Sequence, residues 1–168
     1  APGMLTQLRI KNFAIIESVA LPLHAGLNVL SGETGAGKSI VIGALGLLIG
    51  ERASVDDVRT GADKAIVEGE FAIGDAPDIA RALDAHGLDA GDGVLVLKRE
   101  VAAAGRTRAW INGSPVTASV LAEIGRLLVT VHGQHDARIL LDEESQRGML
   151  DRFAGAVEAA REVEAAHA

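Results

Sequence analysis

The apolar positions of this chain change their spacing several times, and each change marks an element. Leu8, Ile10 and Asn12 alternate with Arg9, Lys11 and Phe13, and Val19, Leu21 and Leu23 alternate again. That period of two is the mark of strands with one buried face. After the turn His24-Ala25-Gly26, Leu27-Asn28-Val29-Leu30 reads as a short buried strand, so three strands are expected before residue 32, the first two antiparallel. Ile40 to Ile49 is apolar at helix length, and Gly50 and Gly61 then punctuate a polar loop. Ala65 to Ile73 reads as a strand, and Asp75-Ala76-Pro77 opens a helix to about His86, with proline near its first position and Gly87 closing it. Val94 to Val101 and Thr107 to Ile111 form an antiparallel pair around the turn Ala102 to Gly105. Asn112-Gly113, a strong hairpin signal, leads into Ser114 to Val116. A helix from Ser119 to about Arg126 and a strand from Leu127 to Val131 follow. The pattern predicts an α/β fold with a substantial antiparallel component.

From Asp142 onward the chain reads as helix, with Met149, Phe153, Ala156, Ala160 and Val163 at spacings of four and three. This heptad seam covers about two heptads, fewer than the three or four that establish a coiled coil. An amphipathic helix docking on its own domain fits it equally well. Neither an internal repeat nor a low-complexity linker is evident.

Composition narrows the chemistry. A chain of 168 residues with 48% hydrophobic content can bury a real core, but aromatics are only 2%. That core must be aliphatic, and base-stacking platforms for single-stranded nucleic acid are not expected. The absence of cysteine excludes a disulfide framework and a thiolate metal site, and suits a reducing cytoplasm. A net charge of −7 argues against this surface alone being a general nucleic-acid binder, because such affinity comes from neutralising phosphates. DNA contact within a larger assembly stays open. Lys98, Arg99, Arg106 and Arg108 form a local basic group on neighbouring strands, read as a solvated sheet face because no aromatic residues interleave it. No apolar run approaches the roughly twenty residues of a membrane span, and no signal peptide is recognisable.

The chemistry is concentrated in one octapeptide, Gly32-Glu33-Thr34-Gly35-Ala36-Gly37-Lys38-Ser39, which fits G-x-x-x-x-G-K-[ST] between an expected strand and an expected helix. Glycines at 32, 35 and 37 allow positive φ and a close approach of backbone N–H groups to an anion. The helix N-terminus behind them favours phosphate. Lys38 supplies a point charge for the β- and γ-phosphates, and the Ser39 hydroxyl is a ligand for Mg²⁺. Gly43 and Gly46 weaken the following helix by about 1 kcal/mol each relative to alanine. Close packing on a sheet is the expected compensation.

Two further segments carry polar groups. His132-Gly133-Gln134-His135-Asp136 follows a buried strand, at the carboxyl edge where ligands of α/β sheets collect. Gln134 there could orient a water or complete Mg²⁺ coordination. The two histidines and Asp136 suggest zinc less well, for want of a fixed helical face and further ligands. Ile139-Leu140-Leu141-Asp142-Glu143 imitates the apolar strand and acid that hold Mg²⁺ in P-loop ATPases. Only three apolar residues precede Asp142, however, and Asp142, Glu143 and Glu144 suit a helix N-terminus. A self-contained P-loop kinase or GTPase using Asp142 or Glu143 for magnesium is the alternative this run leaves open.

Taken with the octapeptide, Leu8-Arg9-Ile10-Lys11-Asn12-Phe13-Ala14-Ile15-Ile16-Glu17, Trp110-Ile111-Asn112-Gly113 and His132-Gly133-Gln134-His135-Asp136 give a close resemblance. The chain resembles the N-terminal head segment of the RecN family, bacterial DNA-repair ATPases related to SMC proteins within the ABC class. The resemblance implies a P-loop NTPase fold, the N-terminal lobe of an ABC/SMC-type head over 1–141, with antiparallel strands beside the P-loop core. A helix leading into a coiled coil is implied over 142–168. It implies ATP and Mg²⁺ as cofactors, with Gly32 to Ser39 as the Walker A loop and Gln134 as the Q-loop glutamine near Mg²⁺ and the attacking water. Lys38 and Gln134 become the catalytic candidates, Ser39 and Gln134 the metal ligands, and either Arg52 or Arg59 is the candidate for an arginine that reaches nucleotide in such heads. The implied partners are the C-terminal head segment of the same protein, a second head in a homodimer and double-stranded DNA ends, in the bacterial cytoplasm at the nucleoid. The family's signature loop, Walker B acids and switch histidine follow its coiled coil and do not occur here, so this chain by itself is expected not to turn over ATP.

Overall fold

The computed structural model describes residues 3–31 and 37–129, together with positions 150, 153, 154, 156, 159 and 163. The chain divides into two compact units, Ala1–Thr130 and Val131–Ala168.

The first unit is built on a six-stranded sheet: β1 (Met4–Phe13), β2 (Ile16–Pro22), β3 (Lys64–Ala72), β4 (Val94–Ala102), β5 (Thr107–Ile111) and β6 (Ser114–Val116), in the order β2-β1-β3-β4-β5-β6. Every neighbouring pair is antiparallel. Period-two patterning fixes the face: Leu8 and Ile10, Ala65, Val67 and Phe71, Leu95, Leu97 and Val101, and Ala109 and Ile111 are all buried. Helices α1 (Gly37–Leu48), α2 (Pro77–Ala85) and α3 (Ala118–Leu128) complete the core with Ala44, Leu47, Leu48, Ile79, Leu83, Leu121, Ile124 and Leu128. α1 packs on β1, β3 and β4, and α3 packs on β5, α1 and α2.

Local chemistry sets most boundaries. Pro77 occupies the first turn of α2, and Gly87, at φ 65°, follows its end, as expected for a proline start and a glycine stop. The Thr117 side chain caps α3 by accepting from the Val120 N–H. Asn112 and Gly113 both take positive φ, 47° and 79°, which a tight two-residue hairpin requires. Asn112 also ties this turn to its surroundings: its Oδ1 accepts from Val96 N at 2.8 Å and its Nδ2 donates to Asp89 O at 3.1 Å.

Four expectations are corrected. Leu27 to Leu30 forms no strand: it pairs with no strand among the described residues, and Leu27 is 91% and Val29 76% exposed. An extended apolar run becomes a strand only when a neighbour satisfies its backbone groups. The strand expected from Leu127 does not begin there either, because Leu121, Ile124 and Leu128 keep helical spacing and carry α3 through Leu128; Thr130 and Val131 lie outside the described residues. In β1 the alternation breaks at Asn12, whose φ of 52° turns Phe13 rather than Asn12 onto the core side. Finally, the glycines of α1 are not spaces for the sheet. A side chain at Gly43 would meet nothing within 4 Å, and one at Gly46 would meet the Glu51 carboxylate. The close approach occurs at Gly125 of α3, where a Cβ would lie 2.5 Å from Leu48 O and 2.8 Å from Ile49 Cα.

In the second unit, Leu150, Phe153, Ala159 and Val163 are helical, and Leu150, Phe153 and Val163 are exposed. The other positions of the heptad seam named above, except Ala156, lie outside the described residues.

Candidate phosphate-binding site

The approach to the octapeptide is held by its own polar groups. Leu23 N donates to Thr6 O at 2.9 Å, which returns the chain to β1 after β2 ends. Asn28 then closes the turn: its Oδ1 accepts from His24 N at 3.1 Å, and its Nδ2 donates to His24 O at 2.7 Å and Gly26 O at 3.3 Å. Gly26, at φ 93°, supplies the conformation a side chain would resist.

Gly32, Glu33, Thr34, Gly35 and Ala36 lie outside the described residues. Gly37, Lys38 and Ser39 form the first turn of α1, with Ser39 exposed and Lys38 half-buried. That turn contains no acidic residue, so nothing on it offsets the positive end of the helix dipole. Amide donors, a lysine ammonium and a serine hydroxyl at one helix start make a donor set suited to a phosphate chain and a hard cation. Gln134, His132, His135 and Asp136, and the acids Asp142, Glu143 and Glu144, lie outside the described residues. Among the described residues no cluster of three or more potential metal ligands occurs. No helix there is long and apolar enough to cross a membrane.

The two arginines after α1 are separated in the structure. Arg52 is exposed in the loop beyond the helix. Arg59 is anchored to the β1–β2 end of the sheet, its N–H donating to Asn12 O at 2.9 Å and its guanidinium 3.9 Å from the Glu17 carboxylate. Both partners of that pair are well exposed, so it contributes little to stability.

The basic group on β4 and β5 is split by the pleat. Lys98 stands on the outer face with its Nζ 5.4 Å from the centroid of the Trp110 ring, a cation–π pair. Arg108 lies opposite Glu100 on the same face, and Arg106 is exposed just before β5. Acids interleave this face: Arg9 pairs with Glu68 at 2.9 Å and Lys64 with Glu100 at 2.8 Å. The reading of a solvated face therefore holds for Lys98 and Arg108, although an aromatic ring does sit among them. It fails for Arg99, which is 5% exposed on the core side. Its position is in phase with Leu95, Leu97 and Val101, a signal present in the alternation itself.

A family model described as an AAA domain matches residues 7–96, more than half of the chain. The chain belongs to this AAA domain family. It is also homologous to the N-terminal segment of RecN proteins. It is 45% identical over 153 residues to the DNA repair protein RecN of Bacillus subtilis, and 48% identical over 153 residues to that of Halalkalibacterium halodurans. These alignments cover 91% and 90% of this chain but only 27% of each relative. The chain thus spans about a quarter of the length of the curated relatives it matches. Among solved structures, the Smc head domain with a coiled coil and joint from Pyrococcus yayanosii superposes with a TM-score of 0.68 at 21% identity, over 98% of this chain and 34% of that one. At that identity the likeness shows the fold alone, which is that of an SMC-type ATPase head.

Proposed function

We propose that this chain is the ATP-binding N-terminal lobe of a RecN-type head that acts in double-strand break repair and recombination, coupling ATP-driven engagement of two heads to DNA binding. The observation that carries the reading is the octapeptide Gly32 to Ser39 running into α1, whose first turn presents Lys38 and Ser39 without an acid. In this reading the backbone amides of 32–37 and the Lys38 ammonium hold the phosphates, and the Ser39 hydroxyl is the lobe's ligand to Mg²⁺. Gln134 orients water at the same centre. Bound magnesium would neutralise charge developing on the transferred phosphoryl group.

Among the described residues, the first turn of α1 carries no acid to complete such a site. The C-terminal head segment of the same protein supplies the remaining groups, and a second head and double-stranded DNA ends are the further partners. Exposed Leu27, Val29 and Leu30, next to the octapeptide, support a further segment covering this side.

The test is nucleotide binding and turnover. The chain should bind ATP without hydrolysing it, and Lys38→Ala should weaken binding at least tenfold. A chimera of full-length B. subtilis RecN with its matching N-terminal quarter replaced by this chain should hydrolyse ATP. Robust turnover by this chain alone would overturn the reading.

A further inference from the structure

Arg99 is the buried charge the phosphate-binding reading does not use. It sits mid-strand on β4, with Leu97 and Val101 as its neighbours on the same face, Val67 across from it on β3 and Ala109 across from it on β5. All four are buried and apolar. Its Nε and Nη1 are sealed from solvent and meet no hydrogen-bond acceptor, the only such buried side-chain atoms among the described residues. Burial lowers its pKa from the ordinary value, because removal from water disfavours the charged form.

An uncompensated buried guanidinium is among the more destabilising things a core can contain, whereas the same group facing a carboxylate gains two parallel charge-assisted hydrogen bonds. A lobe that folds around such a group is built to receive its counter-charge from elsewhere. About three quarters of the length of this chain's relatives lies beyond the segment matched here. α1, which covers the Arg99 face of the sheet, also leaves Ile42 exposed, as an apolar surface awaiting cover would.

We propose that Arg99 is the receiving half of an ion pair with an aspartate or glutamate carried by the C-terminal part of the same head, so that joining the two parts neutralises a charge the N-terminal lobe holds unpaired. This rests on the reading of the chain as half of a head. A nucleotide phosphate could offer a guanidinium similar oxygens, but the structure favours the carboxylate because Arg99 lies within the sheet's apolar face rather than in the glycine-rich turn.

The prediction is a reversal of sign. In this chain alone, Arg99→Met removes an unpaired charge and should raise the thermal midpoint by about 5 °C. In the full-length chimera described above, the same substitution strands the partner's carboxylate and should lower the midpoint by about 5 °C or more. Arg99→Lys, which keeps a cation but loses the fork, should fall between wild type and Arg99→Met in the chimera. A lower midpoint for Arg99→Met in this chain alone would mean that the guanidinium is already paired within the lobe, and would overturn the proposal. So would an unchanged chimera, or Lys and Met variants that behave alike in it. A tenfold loss of ATP affinity in the Arg99→Met chain would assign the group to phosphate instead. A wild-type chimera that neither folds nor turns over ATP would sink the head reading itself, and this inference with it.

Discussion

Asn12, Ala14 and Asn112 are the non-glycine residues at positive φ among the described residues, and they are not equivalent. Asparagine enters this region at modest cost because its amide can hydrogen-bond nearby backbone, as Asn112 does with Val96 and Asp89. Ala14 has only a methyl group to offer. At φ 49° in the turn between β1 and β2, where its N–H donates to Asp57 O at 2.8 Å, it carries the penalty of the left-handed conformation with no side-chain hydrogen bond to offset it. Ala14→Gly should therefore stabilise the chain by about 0.5 kcal/mol in urea denaturation, the relief of strain exceeding the lost packing and the added freedom of the unfolded chain. A loss of stability would show that the methyl group's contact with the core outweighs the strain.

At the scale of elements, the end of α1 and α3 approach closely at glycines. Gly125 lies against Leu48 and Ile49, and the space for a Cβ at Gly50 is occupied by Ala122. Gly125→Ala should cost roughly 2 kcal/mol by forcing the helices apart, read as a lower urea midpoint. Because the first turn of α1 carries Lys38, the variant should also weaken ATP binding several-fold. This contact could not be read from the sequence, since a glycine inside a helix signals only a local weakness. What could be read were elements whose instructions are local: the proline start and glycine stop of α2, the Asn112-Gly113 turn, and the alternation of β3 and β4 that places Ala65, Val67, Leu95 and Leu97 inside. The failures have separate causes. Leu27 to Leu30 looks like a strand because it is apolar and short, but a strand exists only with a neighbour. The octapeptide reads as chemistry from residue types alone, and its residues 32–36 lie outside the described residues. Arg99 was misread because its charge was weighed above its phase, which matches that of Leu97 and Val101.

For the molecule as a whole, apolar exposure is spread over several elements, and Leu27, Val29 and Leu30 are the part of it that precedes the octapeptide in sequence. Leu27→Ser with Val29→Ser should change the stability of this chain by less than about 0.5 kcal/mol, since neither side chain is buried in it. In the full-length chimera the same pair should lower the thermal midpoint by several degrees, provided another segment covers that surface. Equal effects in both proteins would remove that provision.

The position of β1 between β2 and β3 sets the order in which the lobe can assemble. Strands β3 to β6 follow one another in the sheet, with α2 in the connection from β3 to β4, and β1 meets β2 across a two-residue turn, so these pairings close shorter loops than that of β1 with β3. The pairing of Ile10 with Val67 and Leu8 with Gly69 must instead close a loop containing the octapeptide and all of α1. Long-range closures of this kind are slow because their entropy is lost before their contacts are gained. During synthesis the first strand made waits for β3 to be made before it has both neighbours. On the proposed reading, a nucleotide site that depends on α1 is therefore set in place by a late event of folding. ATP should accordingly act on this protein as a latch, slowing its opening while leaving the rate at which it closes unaltered.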